Sequence, residues 1–190
     1  MLATLALGAA ACGDDGGGGG GGGGGDAKSA KIALLLPESK TARYENQDRP
    51  RFIEKVRELC PDCEVIYANA EQDPAQQQQQ AEQAITNGAR VLVVDAVDVR
   101  SAAAIANNAR AQDVPVVSYA RLIADADLDS YVSIDPFRVG QQQAQALLDA
   151  MRDVARPRIV MINGSPTDSN AGPYKDGAHD VFDRAGVEIV

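Results

Sequence analysis

From Lys31 onward, short apolar runs rich in β-branched residues alternate with segments of helical period, and few folds accept that order. Ile32–Leu36 reads as a strand, Phe52–Leu59 as a helix with Phe52, Val56 and Leu59 on one face, and Val65–Tyr67 as a second strand. Asp73-Pro74 opens another helix, in whose first turn a proline fits, and Gly88 ends it. Val91–Val94 and Val116–Tyr119 are strands, separated by a helix capped by Ser101 that runs through Ala111. The alternation predicts an α/β fold built on doubly wound parallel sheet with right-handed crossovers. In such a sheet ligands bind beyond the carboxyl ends of the strands.

The stretch Val114–Gly140 organises this pattern. Its strand, Pro115–Tyr119, delivers Ala120-Arg121 just past a carboxyl edge. A second strand, Tyr131–Ile134, follows an acidic loop, and Asp135-Pro136 stops it and starts a helix running to Arg152. A polar site is thus followed by a crossing into another structural unit. That unit continues with a strand at Ile159–Ile162, a helix from about Asn170 to Arg184 and a strand at Val187–Val190. The final strand has no helix after it and no neighbour to pair with, so the chain is expected to be a fragment of a longer protein.

At 190 residues, 45% of them hydrophobic, the chain can hold one domain, or one and part of a second, around a real core. A net charge of −9 argues against nucleic acid as a partner, because phosphate binding needs a basic face. No apolar run is long enough to span a bilayer. The single histidine, His179, leaves no histidine cluster for a metal and no Ser/His/Asp set, and in KDGAHD it reads as a solvated helix residue. No metal or cofactor is expected.

Met1–Ala11 has the apolar run and small-residue ending of a secretory signal, and Cys12 follows it. The small-Ala-Ala-Cys ending resembles a bacterial lipoprotein signal, which assigns residues 1–12 to the signal and Cys12 to the lipid anchor. No Lys or Arg precedes the apolar run, and Ala9 stands where such signals usually have Leu. Residues 13–30 include the unbroken run Gly16–Gly25, expected to act as a flexible tether that holds a soluble domain near a membrane. The run matches a nucleotide-binding glycine pattern trivially, with no strand before it and no helix after.

Cys60-Pro61-Asp62-Cys63 is a C-x-x-C that follows a helix instead of opening one, so a helix dipole would not activate its thiols. A local structural disulfide between Cys60 and Cys63 is expected in an exported protein, with a redox pair as the alternative. Asp125, Asp127 and Asp129 imitate the start of a calcium loop, but Ser130 and Pro136 occupy the positions that need glycine and an acid. Gln76–Gln80 reads as a polar helix face. Asp95 and Asp98, after the strand VLVV, either face a cleft or cap the helix at Ser101.

A more coherent set gathers at strand ends. Lys40, Arg43 and Tyr44 lie in the loop after the first strand, Arg121 after another, and Asp168, Ser169 and Asn170 after IVMIN. In a parallel arrangement these fall on one edge. Sugars are bound by such groups, since planar polar side chains take paired hydroxyls and a ring covers the apolar sugar face.

From Lys31 to Val190 the chain resembles the D-xylose-binding proteins of sugar ABC transporters, within the ribose-binding-like, type I periplasmic binding family. The segments carrying the resemblance are ESKTARYENQDRP, NAEQDPAQQQQQAEQAITNGARVLVVDAVD, SYARLIADADLDSYVSID, VGQQQAQAL and INGSPTDSNA. It implies two α/β lobes joined by crossing strands, here an N-terminal lobe over 31–135 and the incomplete start of a C-terminal lobe over 136–190. Arg43, Arg121 and Asn170 are implied to bind the sugar, with Tyr44 flanking it; Lys40 and Asp168, from the strand-end set, are expected to join them. The family usually has Tyr-Asp-Arg where this chain has Tyr119-Ala120-Arg121, and Asp-Asn where it has Asp135-Pro136. The implied function is non-enzymatic: a monomeric extracytoplasmic receptor that delivers a monosaccharide, a xylose-like pentose first, to ABC permease subunits. A sugar sensor for a signalling partner and a redox enzyme using Cys60 and Cys63 are the alternatives.

Overall fold

The computed structural model describes residues 29–190. The signal, Cys12 and most of the glycine tether lie outside the described residues.

Five strands form one parallel sheet in the order β2-β1-β3-β4-β5. They are β1 (Lys31–Leu36), β2 (Glu64–Asn69), β3 (Ala89–Val94), β4 (Val116–Tyr119) and β5 (Ser130–Val132). Register pairs Ile32 with Val65, Leu34 with Val93, Val94 with Ser118 and Tyr119 with Val132. Because strand side chains alternate, Ala33 and Leu35 join Leu92, Val94 and Val116 on one face, and Leu34, Leu36 and Val93 occupy the other. The first face is covered by α2 (Pro74–Thr86) and α3 (Ala103–Arg110), which contribute Ala81, Ala84, Ile105, Ala106 and Ala109. Small residues there let the helices approach closely. The second face receives α1 (Arg49–Leu59) through Phe52, with Tyr44 beside it.

Three local expectations need correction. Arg43 and Tyr44 are not in a loop, for the helical path to α1 begins several residues earlier than the apolar pattern suggests. Glu38 makes that start possible, since its carboxylate accepts the Lys40 N–H at 2.6 Å and the Thr41 N–H at 3.0 Å. A π-helical turn at Tyr44–Asp48 follows, in which the Arg49 N–H reaches the Tyr44 carbonyl. Pro50 has no N–H for the ordinary ladder, which fits this local shift in hydrogen-bond step. The glutamine run is not simply a polar face either. Gln77 is buried, donating to the Asp95 carbonyl at 2.8 Å and accepting from the Val97 N–H at 2.9 Å. Nor does Ser101 cap α3: Asp98 accepts the Arg100 and Ser101 N–H groups at 2.9 and 2.8 Å, one turn ahead of the helix.

Other boundaries follow their expected causes. The Asp73 carboxylate accepts the Ala75 and Gln76 N–H groups at the start of α2, and Gly88, at φ +87°, closes the turn after it. Cys60 and Cys63 are joined as a disulfide across the turn between α1 and β2, with a Cα–Cα distance of 5.3 Å.

The second unit is smaller. α4 (Pro136–Ala150), capped by the Asp135 carboxylate, crosses α5 (Ala171–Arg184) at two glycines. A Cβ on Gly140 would strike the Tyr174 carbonyl, and one on Gly177 that of Phe137, so the backbones touch where no side chain fits. β6 (Arg158–Ile159) and β7 (Glu188–Ile189) form a two-stranded parallel sheet. The expected strand Ile159–Ile162 is therefore shorter: β7 offers only two residues to pair with, and Val160 and Ile162 stay exposed.

Candidate functional site

The carboxyl ends of β1, β3 and β4 place Glu38, Asp95 and Arg121 together, and the loop before α5 closes over them. Arg121 is held from several sides. Its Nη1 donates to the Ala96 carbonyl at 2.9 Å, and its Nε lies 3.0 Å from Asp168 Oδ2 and 3.5 Å from Asp95 Oδ1. Its Nη2 reaches the Tyr44 hydroxyl at 3.5 Å. The turn carrying it is fixed by buried Ser118, whose hydroxyl donates to the Arg121 carbonyl and accepts the Ile123 N–H. This leaves the guanidinium mostly buried but pre-oriented.

Arg43 approaches from the helix start. Its Nε pairs with Asp48 at 3.1 Å, its Nη2 lies 3.9 Å from Asp95 Oδ2, and its guanidinium sits 5.0 Å from the Tyr44 ring centre. Tyr44 itself is 5% exposed, and burial together with the Asp95 charge drives its hydroxyl pKa well above the usual phenol range. Burial also tends to raise the Glu38 carboxyl, but hydrogen bonds from Thr41 and Lys40, with the charge of Arg121, leave it below its ordinary value.

Asp95 is the most constrained acid of the set. Its side chain is fully buried, and neither carboxylate oxygen accepts a hydrogen bond of good geometry. Burial pushes its pKa up to about 7, against the opposing pull of Arg121, Arg43 and the Tyr44 hydroxyl and with a further upward push from Asp168.

The second unit attaches at this same place. Asp168 pairs with Arg121, the Ser169 hydroxyl accepts the Leu122 N–H at 2.8 Å, and the Asn170 amide donates to the Ala120 carbonyl at 3.0 Å. Tyr131 and Ser133 hydroxyls donate to that carbonyl too. Ala120 adopts φ +58°, a left-handed conformation unusual for alanine. A cavity of about 310 Å³ opens among Pro37, Glu38, Thr41, Val97, Arg121 and Thr167, between the two units. Larger hollows under α1 and between α4 and α5, of about 520 and 430 Å³, share only Asp168 with the cluster around Arg121 and do not gather this polar set.

Arg43, Tyr44, Arg121, Asp168 and Asn170 thus converge, whereas Lys40 is exposed and engages Glu38 only through its backbone. Of the two aspartates after β3, Asp95 turns to the cluster and Asp98 binds local backbone. Glu38 carries no signal in the sequence, because a glutamate is not a usual helix-capping residue. The acidic loop is used internally: the Asp129 carboxylate accepts the Val116 N–H and Asp127 pairs with Arg110. Among the described residues no group of three or more His, Cys, Asp or Glu side chains is arranged for a metal, and no helix is long and apolar enough to cross a membrane. Chemically the site offers fixed donors, acceptors and aromatic rings: equipment for holding a polyhydroxylated molecule.

Comparison with known proteins agrees with that chemistry. The family profile described as periplasmic binding protein domain matches residues 32–190. The chain is 32% identical over 168 residues to the D-xylose-binding periplasmic protein of Escherichia coli, covering 86% of this chain and 49% of that protein. It is 28% identical over 160 residues to a multiple sugar-binding periplasmic receptor of Rhizobium radiobacter, covering 82% and 44% of the two chains. Among solved structures, a carbohydrate transporter solute-binding protein from Chloroflexus aurantiacus in complex with D-glucose superposes with a TM-score of 0.74 at 32% identity, covering 85% of this chain and 47% of that one. The chain spans about half the length of the curated relatives it matches.

Proposed function

The chain belongs to the periplasmic binding protein family, and on that premise we propose that it forms part of an extracytoplasmic receptor that closes on a monosaccharide and passes it to an ABC permease. The observation that carries this reading is Arg121, a pre-oriented guanidinium from the first unit paired at 3.0 Å with Asp168 of the second. A ligand that contacts both units stabilises whichever arrangement brings them together, and hinge closure needs nothing more. No step of chemistry on the ligand is required.

Arg43, Tyr44, Arg121 and Asn170 are the proposed sugar contacts, with Lys40 and Asp168 at the rim. A xylose-like pentose is the first ligand to try, because the relatives include a D-xylose-binding protein. D-glucose comes second, on the strength of the D-glucose complex. Anchoring of a monomeric receptor through lipid on Cys12 belongs to the same proposal, and retention of a Cys12→Ser variant in the membrane fraction would remove it. The decisive experiment for the receptor reading is a calorimetric screen of pentoses and hexoses on the full-length protein. Saturable binding of at least one monosaccharide is expected; absence of binding across the panel contradicts the proposal.

A further inference from the structure

Asp95 lies outside the proposed set of sugar contacts, yet no other acid in the cluster is so deeply placed. It directly follows β3 with its N–H bonded to the Leu35 carbonyl, and Gln77 of α2 clamps its own carbonyl. The backbone is therefore rigid on two sides. Its carboxylate is completely enclosed and accepts no hydrogen bond of good geometry. Enclosed carboxylates normally collect donors, since an uncompensated buried charge is costly. This one has two guanidiniums, Arg121 at 3.5 Å and Arg43 at 3.9 Å, one on each oxygen, with the Tyr44 hydroxyl beside them.

We infer that Asp95 is a positioning residue for the proposed sugar site, a buried counter-charge that holds Arg43 and Arg121 toward one another and couples sugar binding to loss of its proton. The inference rests on the sugar-receptor reading. The groups facing Asp95 are Arg43 and Tyr44 from the helix start, Tyr119 from β4, Arg121 beyond β4, and Asp168 from the loop before α5. The two cations favour its ionised form, and Asp168 and burial oppose it. Arg43 keeps 42% of its side chain in solvent, so water supplies part of its stabilisation. A sugar that covers Arg43 and Arg121 removes that water, and the buried counter-charge becomes worth more. Binding thus favours ionised Asp95, lowers its pKa and releases a proton. Burial pushes the Asp95 carboxyl up to about 7, so the release falls near neutral pH.

Calorimetry of the full-length protein with D-xylose and with D-glucose tests this, at neutral pH in phosphate and in Tris, whose ionisation enthalpies differ. The expected result is a binding enthalpy that depends on the buffer in the sense of proton release. Affinity should rise about tenfold or more from pH 5.5 to 8, with the steepest permitted slope about one decade per pH unit. Asp95→Asn should bind about tenfold more weakly at pH 8 and lose the pH dependence. Wild-type enthalpies identical in both buffers overturn the inference without any variant, as does an Asp95→Asn protein that keeps the wild-type affinity and profile. If wild type binds neither sugar nor any other monosaccharide, the receptor reading fails and this inference fails with it.

Discussion

The two units of the molecule both have apolar cores, but of very different extent. In the first, a five-stranded sheet is buried on one face by two helices and partly on the other, with Leu34, Leu35, Leu36 and Leu92 almost wholly removed from water. In the second, a small apolar cluster of Ala144, Ile159, Val181 and Phe182 lies beside a glycine-lined α4–α5 crossing and a two-residue strand pair. The first unit is thus a scaffold that fixes side chains precisely, and the second is a lighter body. Contacts from the second to the first include Asp168, Ser169 and Asn170, which reach Arg121, Leu122 and Ala120. Arg121, Asp168 and Asn170 therefore belong both to the junction of the units and to the proposed ligand site.

The contrast can be broken first at its strongest point. Leu35→Ala, in the core of the scaffold, should cost about 2–5 kcal/mol and lower the denaturant midpoint of the whole chain. Gly177→Ala should cost about 1–3 kcal/mol by overpacking against the Phe137 carbonyl, with its effect centred on the second unit. Hydrogen exchange after each change should show β1 and β3 losing protection only in the Leu35 variant.

A sharper test separates stability from function at one residue. In the folded protein the Asp95 pKa is raised above its unfolded value, so its favourable contribution is fully present below the unfolded pKa near 4. That contribution disappears as pH rises through about 7. Asp95→Asn, which cannot ionise, should be more stable than wild type at pH 8, by an amount on the order of a few kcal/mol. The gain should fade toward pH 4, as denaturant titrations at several pH values would show. A variant that gains stability and loses sugar affinity would mark Asp95 as a group kept for function at a cost to the fold.

Most of the scaffold was legible in the sequence because its signals are local. Apolar runs of four to six residues, Asp73-Pro74 and Gly88 each carry their meaning within a few positions. Arg43, Tyr44, Arg121 and Asn170 could be grouped from their strand-end positions, but only resemblance to a family singled them out as proposed sugar contacts, since each alone is an ordinary polar residue. What stayed hidden depends on three-dimensional neighbours. Gln77 looks like Gln76 and Gln78 until the rotation of α2 against Asp95 and Val97 is known. Asp95 and Asp98 follow the same strand, yet one binds local backbone while the other sits against Arg43 and Arg121, distant in the chain. The early helix start at Tyr44 was hidden for the same reason, because the glutamate that caps it has weak capping preference.

Ala120→Asp probes the junction more gently. The left-handed backbone there suits aspartate better than alanine, and a carboxylate at this position would stand next to Arg121 in sequence. One added charge-assisted hydrogen bond is worth about 1.5–3 kcal/mol, so affinity for D-xylose should rise by about one to two decades at most. Parallel calorimetry of wild type and variant checks this; an unchanged affinity for every sugar tried would mean that residue 120 does not face the ligand.

A sugar bound between the units should tighten the junction centred on Arg121 and Asp168. Hydrogen exchange of the full-length protein, with and without a saturating monosaccharide, measures this most directly. Residues 118–123 of the first unit and 165–171 of the second should gain protection together when sugar is added. Protection confined to the first unit, with 165–171 exchanging as fast as before, would contradict it.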